Sequence, residues 1–284
     1  MKRHLYIICL TFFLLLGGIS CRSSANRQVN LPSIVVTTSY LESAARDLTG
    51  DDFEIVRLAP PGMCPGHFDI APGIIKKIRG CRLLLRFHFQ DGIDSKIQPL
   101  TKGHLTIKGI TAPEGLCVPE SYYLILKDTL DALQAAFPKK TDEFNASFER
   151  ATANIEKLTE ECIKHMNEAG LRGTKVIASG HQAVFCRWLG LDVVAVYSGA
   201  NATTPQGLQN LINKGHKSGV RYVIANLQEG SQMGESLASH LGAQIVVFSN
   251  FPDMSPSQNS FYSLVRNNID RLIECAIKNE RSLL

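Results

Sequence analysis

Apolar residues recur every three or four positions between residues 141 and 170: Phe144, Phe148, Ala151, Ile155, Leu158, Cys162 and Met166. That spacing lines one face of an α-helix. Thr141 reads as the N-cap, with Asp142 and Glu143 in the first turn, where carboxylates suit the helix dipole. No Pro or Gly intervenes before Gly170, a natural residue to follow a helix end. About 28 residues at 1.5 Å each span roughly 42 Å, more than the width of one small domain. The stretch therefore predicts a rigid helix joining two lobes. The alternative is a long helix laid along a single domain.

Strand and helix patterns alternate on both sides of it. Before it, residues 34–38, 54–58, 81–89 and 105–110 read as strands, and 41–48, 73–78 and 121–137 as helices. After it, residues 175–179, 192–197, 222–225 and 244–248 read as strands. Helices follow them: one after Gly180-His181-Gln182, through Phe185 and Trp188 to near Gly190, one over 205–216, one from the loop through Gln228 and Glu229 to His240, and one over 261–277. Unbroken apolar runs such as Leu83-Leu84-Leu85 suit parallel sheets covered on both faces. The expected fold is α/β: two lobes, each a mostly parallel sheet flanked by helices, joined by one long rigid helix. Residues 31–138 form the first lobe, 139–172 the linking helix and 173–284 the second lobe. Ligands of such sheets gather outside the carboxyl ends of the strands.

The first twenty residues read differently. Lys2 and Arg3 precede an apolar run over 5–16, and Gly17, Gly18, Ile19 and Ser20 lead to Cys21. This is the layout of a secretory signal peptide over residues 1–20. Small residues before a cysteine resemble a bacterial lipobox, so Cys21 is the expected lipidated N-terminus. Simple cleavage nearby is the alternative. Residues 21–30 would then tether an exported protein to a membrane, in the periplasm or on the outer cell surface. Removing Lys2 and Arg3 takes the formal charge from +4 to about +2. That balance, without Lys/Arg runs, gives no case for nucleic acid. The eight cysteines include no CxxC pair. Cys81 and Cys162 fall in apolar patterns and read as small buried hydrophobes.

Candidate chemistry lies at predicted strand ends. Residues 60–69 read Pro-Pro-Gly-Met-Cys-Pro-Gly-His-Phe-Asp, which places Cys64 and His67 in a loop stiffened by prolines. Soft and borderline ligands on a preorganised loop suit a transition metal. His88 closes the third predicted strand, where Arg86, His88 and Gln90 would share one face. His181 follows the strand 175–179 through Gly180, and Gln228 and Glu229 take the same position one strand later. Asp253 follows the last strand. His104, His165, His216 and His240 read as solvated. The expected metal ligands are His67, His88 and His181, with Cys64, Glu120, Gln228 or Asp253 supplying or orienting a fourth position.

These features together resemble the substrate-binding lipoproteins of bacterial zinc and manganese ABC transporters. The resemblance rests on the first strand at 35–40, the proline-rich loop over 60–72, and Phe137-Pro138 before the long helix. It rests further on residues 180–185 (Gly-His-Gln-Ala-Val-Phe), residues 190–194 (Gly-Leu-Asp-Val-Val), Thr204-Pro205, and Gln228 after its strand. It covers nearly the whole mature chain. His181 matches the family's motif directly, and His67 sits one place later than the family's first histidine. The family's second histidine has no counterpart, because residues 117–120 read Cys-Val-Pro-Glu. The resemblance implies a monomeric receptor, not an enzyme, that captures Zn2+ or another divalent transition metal. It implies delivery to an ABC permease with its ATPase. Two alternatives stay open: the same scaffold binding a metal chelate or small organic ligand, or a zinc-dependent hydrolase with Glu120 or Glu229 as base.

Overall fold

The structure is a computed structural model that describes residues 33–60, 72–101, 103–199, 204–255 and 258–282. Cys21, Cys64, His67 and the leader lie outside the described residues. No described helix is long and apolar enough to cross a membrane.

The first lobe runs β1 (Ser33–Val36), α1 (Ser39–Thr49), β2 (Glu54–Arg57), α2 (Pro72–Ile78), β3 (Leu83–Phe87), a 3-10 turn (His88–Ile93), α3 (Asp94–Ile97), β4 (Thr106–Ile110) and α4 (Pro119–Ala136). The long helix α5 (Thr141–Glu168) follows. The second lobe runs β5 (Lys175–Ser179), α6 (Gly180–Trp188), β6 (Asp192–Tyr197), α7 (Pro205–Ser218), β7 (Tyr222–Asn226), α8 (Gln232–Leu241), β8 (Gln244–Phe248) and α9 (Phe261–Ser282). Each lobe carries a four-stranded sheet, ordered β2-β1-β3-β4 and β6-β5-β7-β8. Every pairing is parallel. The chain leaves β1 and β5 in one direction and returns on their other side. Each sheet thus has a switch point, between β1 and β3 and between β5 and β7, where crevices open in this architecture.

Strand periodicity divides the apolar residues between layers. Val35, Leu84, Ile177 and Val223 face outer cores, one under each lobe's outer helices. Their neighbours Ile34, Val36, Leu83, Leu85, Val176, Ala178, Tyr222 and Ile224 face inward, into one continuous core shared by both lobes. The helix α5 lies in that shared core through Phe144, Ala151, Ile155, Leu158, Cys162 and Met166, the residues of its apolar stripe. Phe148 is half-buried on the same face. Thr141 is not the cap: a 3-10 turn, Pro138–Lys140, runs straight into the helix. Its hydroxyl donates to the Pro138 carbonyl instead of accepting from the helix.

The closing helix α9 ties the second lobe to the first. Phe261 is fully buried and stacks on Tyr122 with ring centroids 4.0 Å apart. The Phe261 backbone N–H donates to Ser43 Oγ at 2.9 Å. Tyr122 Oη lies 3.2 Å from the same hydroxyl and donates to Asp47 at 2.7 Å. Two turns further on, Asn268 Nδ2 donates to the Ser249 carbonyl at 2.9 Å, and Cys117 Sγ reaches that carbonyl at 3.1 Å. All five described cysteines are free thiols. Cys81 and Cys162 are buried as small hydrophobes, and burial raises their pKa to about 11 and about 12.

The third strand is shorter than its sequence pattern. It ends at Phe87 because the Gln90 side chain turns inward, accepting from the Phe87 N–H at 2.9 Å and from Thr37 Oγ1 at 2.7 Å. This closes the 3-10 turn. Gln90 is therefore buried while His88 points outward, so the two do not share a strand face.

Burial pushes the Asp47 carboxyl up to about 6, against the opposing pull of hydrogen bonds from Tyr122 and Tyr262. An unfolded aspartate titrates near 3.9. A folded value above the unfolded one means this group's stabilisation is complete below about pH 4 and lost as pH rises through about 6. Asp47→Asn should therefore gain thermal stability relative to the parent as pH rises over that window, with a constant difference above it. Melting curves from pH 4 to 7.5 decide this. A parent-variant difference that does not change with pH would remove Asp47 as the cause.

Candidate functional site

The second lobe's switch point holds a histidine and a carboxylate in contact. β5 ends at Ser179, which is fully buried, and α6 begins at the next residue. Ser179 does not cap the helix; its Oγ donates to Glu229 Oε2 at 2.9 Å. His181, in the first turn of α6, sets Nε2 3.2 Å from Glu229 Oε1. Glu229 closes a 3-10 turn, Leu227–Glu229, that follows β7. Gly230 then takes φ 87°, a left-handed turn that favours glycine and carries the chain away toward α8. The His181 side chain is 62% exposed and that of Glu229 26%, so the pair is anchored below and open above.

Beneath the pair lies a layer of amides. Gln182 is fully buried and donates to Asn250 Oδ1 at 2.9 Å and to Asn226 Oδ1 at 3.3 Å. Gln228 Nε2 donates to Ser249 Oγ at 3.0 Å, and its Oε1 accepts from the Asn250 N–H at 2.9 Å. These bonds lock the loops after β7 and β8 together. Most of the layer's polar atoms are bonded in this way, as buried polar groups require, and Gln182 Oε1 is the exception, buried without a partner among the described residues.

The pair opens onto a cavity of about 710 Å³ walled by both lobes. The first lobe supplies Phe89 and the segment Ala112 to Leu116. The second supplies His181, Val184, Arg187, Ser198, Glu229 and Phe251, over a floor that includes Asn226, Gln228 and Asn250. The lobes are in close contact beside Gly115. A Cβ there would lie 2.7 Å from Val184 Cγ1, and its φ is +71°.

The first lobe's equivalent position is chemically different. Where the second lobe carries His181 and Glu229, the first carries Thr37 and Gln90, a buried neutral pair joined at 2.7 Å. His88 is exposed and packs over Gly109 of β4, whose Cβ would fall 2.6 Å from the ring. Its Nδ1 lies 3.4 Å from Thr111 Oγ1, and it does not line the cavity that holds His181. Glu120 heads α4 and faces a groove against α5 with Glu156 and Glu160, also apart from the cavity. Asp253 accepts from the Ser255 N–H at 2.9 Å, within its own loop. Gln228 lines the cavity as a floor residue. Among the described residues, no three His, Cys, Asp or Glu side chains converge as a metal cluster. Cys117 is not a thiolate donor here: burial holds its thiol far above the ordinary range.

Glu229 is the residue that the expected ligand set omitted. It stands three places after a strand end, where a 3-10 turn and a following glycine can reverse a side chain toward the crevice. His104, His165, His216 and His240 are all exposed.

The family described as zinc-uptake complex component A, periplasmic (ZnuA), matches residues 34–275. A Mn-bound periplasmic metal-binding protein from Candidatus Liberibacter asiaticus superposes with TM-score 0.72 at 11% identity, over 86% of this chain and 99% of that one. The Cd-bound form of the same protein gives TM-score 0.72 at 12% identity, with the same coverage. A crystal structure of ZnuA gives 0.71 at 16% identity, over 87% of this chain and 100% of that one. No curated protein matches the chain in a sequence search.

Gly115→Ala should lower stability by about 1–3 kcal/mol, the combined cost of a left-handed non-glycine residue and a collision with Val184. Chemical denaturation with unchanged slope would read it. A variant as stable as the parent would mean that the lobes are not in tight contact beside the cavity.

Proposed function

The chain belongs to the ZnuA family, and on that premise we propose that it is an extracytoplasmic receptor, not an enzyme, that captures a divalent transition metal and hands it to the permease of an ABC importer. Zinc is the proposed metal. The observation that carries this reading is the His181–Glu229 pair, 3.2 Å apart and open to the cavity between the lobes. An imidazole and a carboxylate suit zinc, whereas manganese favours more oxygen donors. Ser179 supports Glu229 from behind, as the outer partners of metal-binding carboxylates do. His67, outside the described residues, is the proposed additional donor, with Cys64 beside it in sequence. His88 drops from the proposed set because it is turned over Gly109. Anchorage through a lipid on Cys21, a monomeric state and partnership with an ATPase subunit complete the proposal.

A receptor of this design should bind metal only when folded, so zinc chloride should raise its melting temperature. At a free concentration 100 times Kd, the stabilisation is about 2.7 kcal/mol. His181→Ala should lose most of that shift and Glu229→Gln a large part of it. His240→Ala should keep it in full, since that side chain is exposed on α8 and bonded to its own helix. Equal shifts in all four proteins would sink the site. A parallel manganese series discriminates the metal: a larger shift with manganese than with zinc would overturn the choice of zinc.

A further inference from the structure

We propose that the cavity takes its metal as a complex with a small carboxylate-bearing chelator, a reading that rests on the receptor function above. A cavity of about 710 Å³ matches the volume of small-molecule sites, which run to roughly 300–1,000 Å³. The described walls enclose more room than a bare ion held by His181 and Glu229 occupies.

The wall opposite in character to that pair is the second observation. Arg187 lines the same cavity from the same helix, six residues beyond His181, a rise of roughly 9 Å. Among the described residues its guanidinium has neither an ion-pair nor a hydrogen-bond partner. A guanidinium repels a bare cation. Its planar fork matches the two oxygens of a carboxylate. A compact ligand coordinating the metal near His181 can extend a free carboxylate to Arg187.

The remaining surfaces fit the body of such a ligand. Phe89 is 60% exposed at the cavity rim yet held in orientation, stacked on buried Phe87 with an interplanar angle of 13°. Val184 and Phe251 continue the apolar wall. Asn226 and Asn250 complete the floor, with their side-chain oxygens bonded to Gln182 beneath. A carbon skeleton gains from these contacts, and a hydrated ion does not.

The experiment is equilibrium dialysis of the full chain at buffered free zinc, alone, with excess radiolabelled citrate, and with excess radiolabelled L-histidine. One of the two chelators should co-bind at one equivalent and lower the free zinc needed for half-saturation by about tenfold or more. Arg187→Gln should remove most of that gain, and the exposed-site control His240→Ala should retain it. Zinc binding that neither chelator enhances or accompanies overturns this inference and leaves the receptor reading standing. Chelator gain undiminished in Arg187→Gln overturns the assignment of Arg187. Zinc that binds under none of the three conditions brings down the receptor reading and this one with it.

Discussion

The lobes share their hydrophobic core. Alternate residues of β1, β3, β5 and β7 face a common interior that also takes the buried stripe of α5 and the start of α9. Each sheet keeps a smaller core of its own on the outer face. Opening the lobes widely would expose apolar surface from both sheets at once. It would also break the Phe261 N–H to Ser43 bond and leave buried polar groups without partners. This architecture therefore favours small sliding or local loop motion over wide hinge closure.

That rigidity gives the site its character. Ser179 ends β5 and Glu229 closes the turn after β7, and the pairing of those neighbouring strands brings the two together. Gln182, Asn226, Asn250 and Gln228 weld the surrounding loops together underneath. Glu229 is held on this platform by Ser179 before any ligand arrives, so less ordering entropy is lost on binding. The cost is carried by residues such as Gly115, where the near contact of the lobes tolerates no side chain.

The two sheets share one topology but not one chemistry. At corresponding switch points, one lobe carries Thr37 and Gln90, which satisfy each other in the interior. The other carries His181 and Glu229, which face the cavity. The described charge at the cleft is thus concentrated on the second lobe, with Arg187 on the same helix as His181. The first lobe contributes one carboxylate, Glu114, within an otherwise mostly apolar wall formed by Phe89, Ala112, Pro113 and Leu116.

The strand-helix alternation, the parallel sheets and the long helix were legible in the sequence because each depends on local periodicity. An apolar residue every three or four positions makes a helix stripe wherever it packs, and Phe144 to Met166 are buried as that rule requires. His181 was legible for the same reason: a strand that ends just before Gly180 must place it at the carboxyl end of the sheet. The positions of His88 and Glu229 were decided by the tertiary structure. Strand alternation extended through His88, but a bond between Gln90 and Thr37, 53 residues apart, ended the strand early and turned the histidine out. Glu229 was one of several acids near strand ends. Only the pairing of β5 with β7 brought it to Ser179 and His181, 50 and 48 residues back along the chain. Side-chain partners at that range depend on register and packing between distant segments, and no local pattern records them.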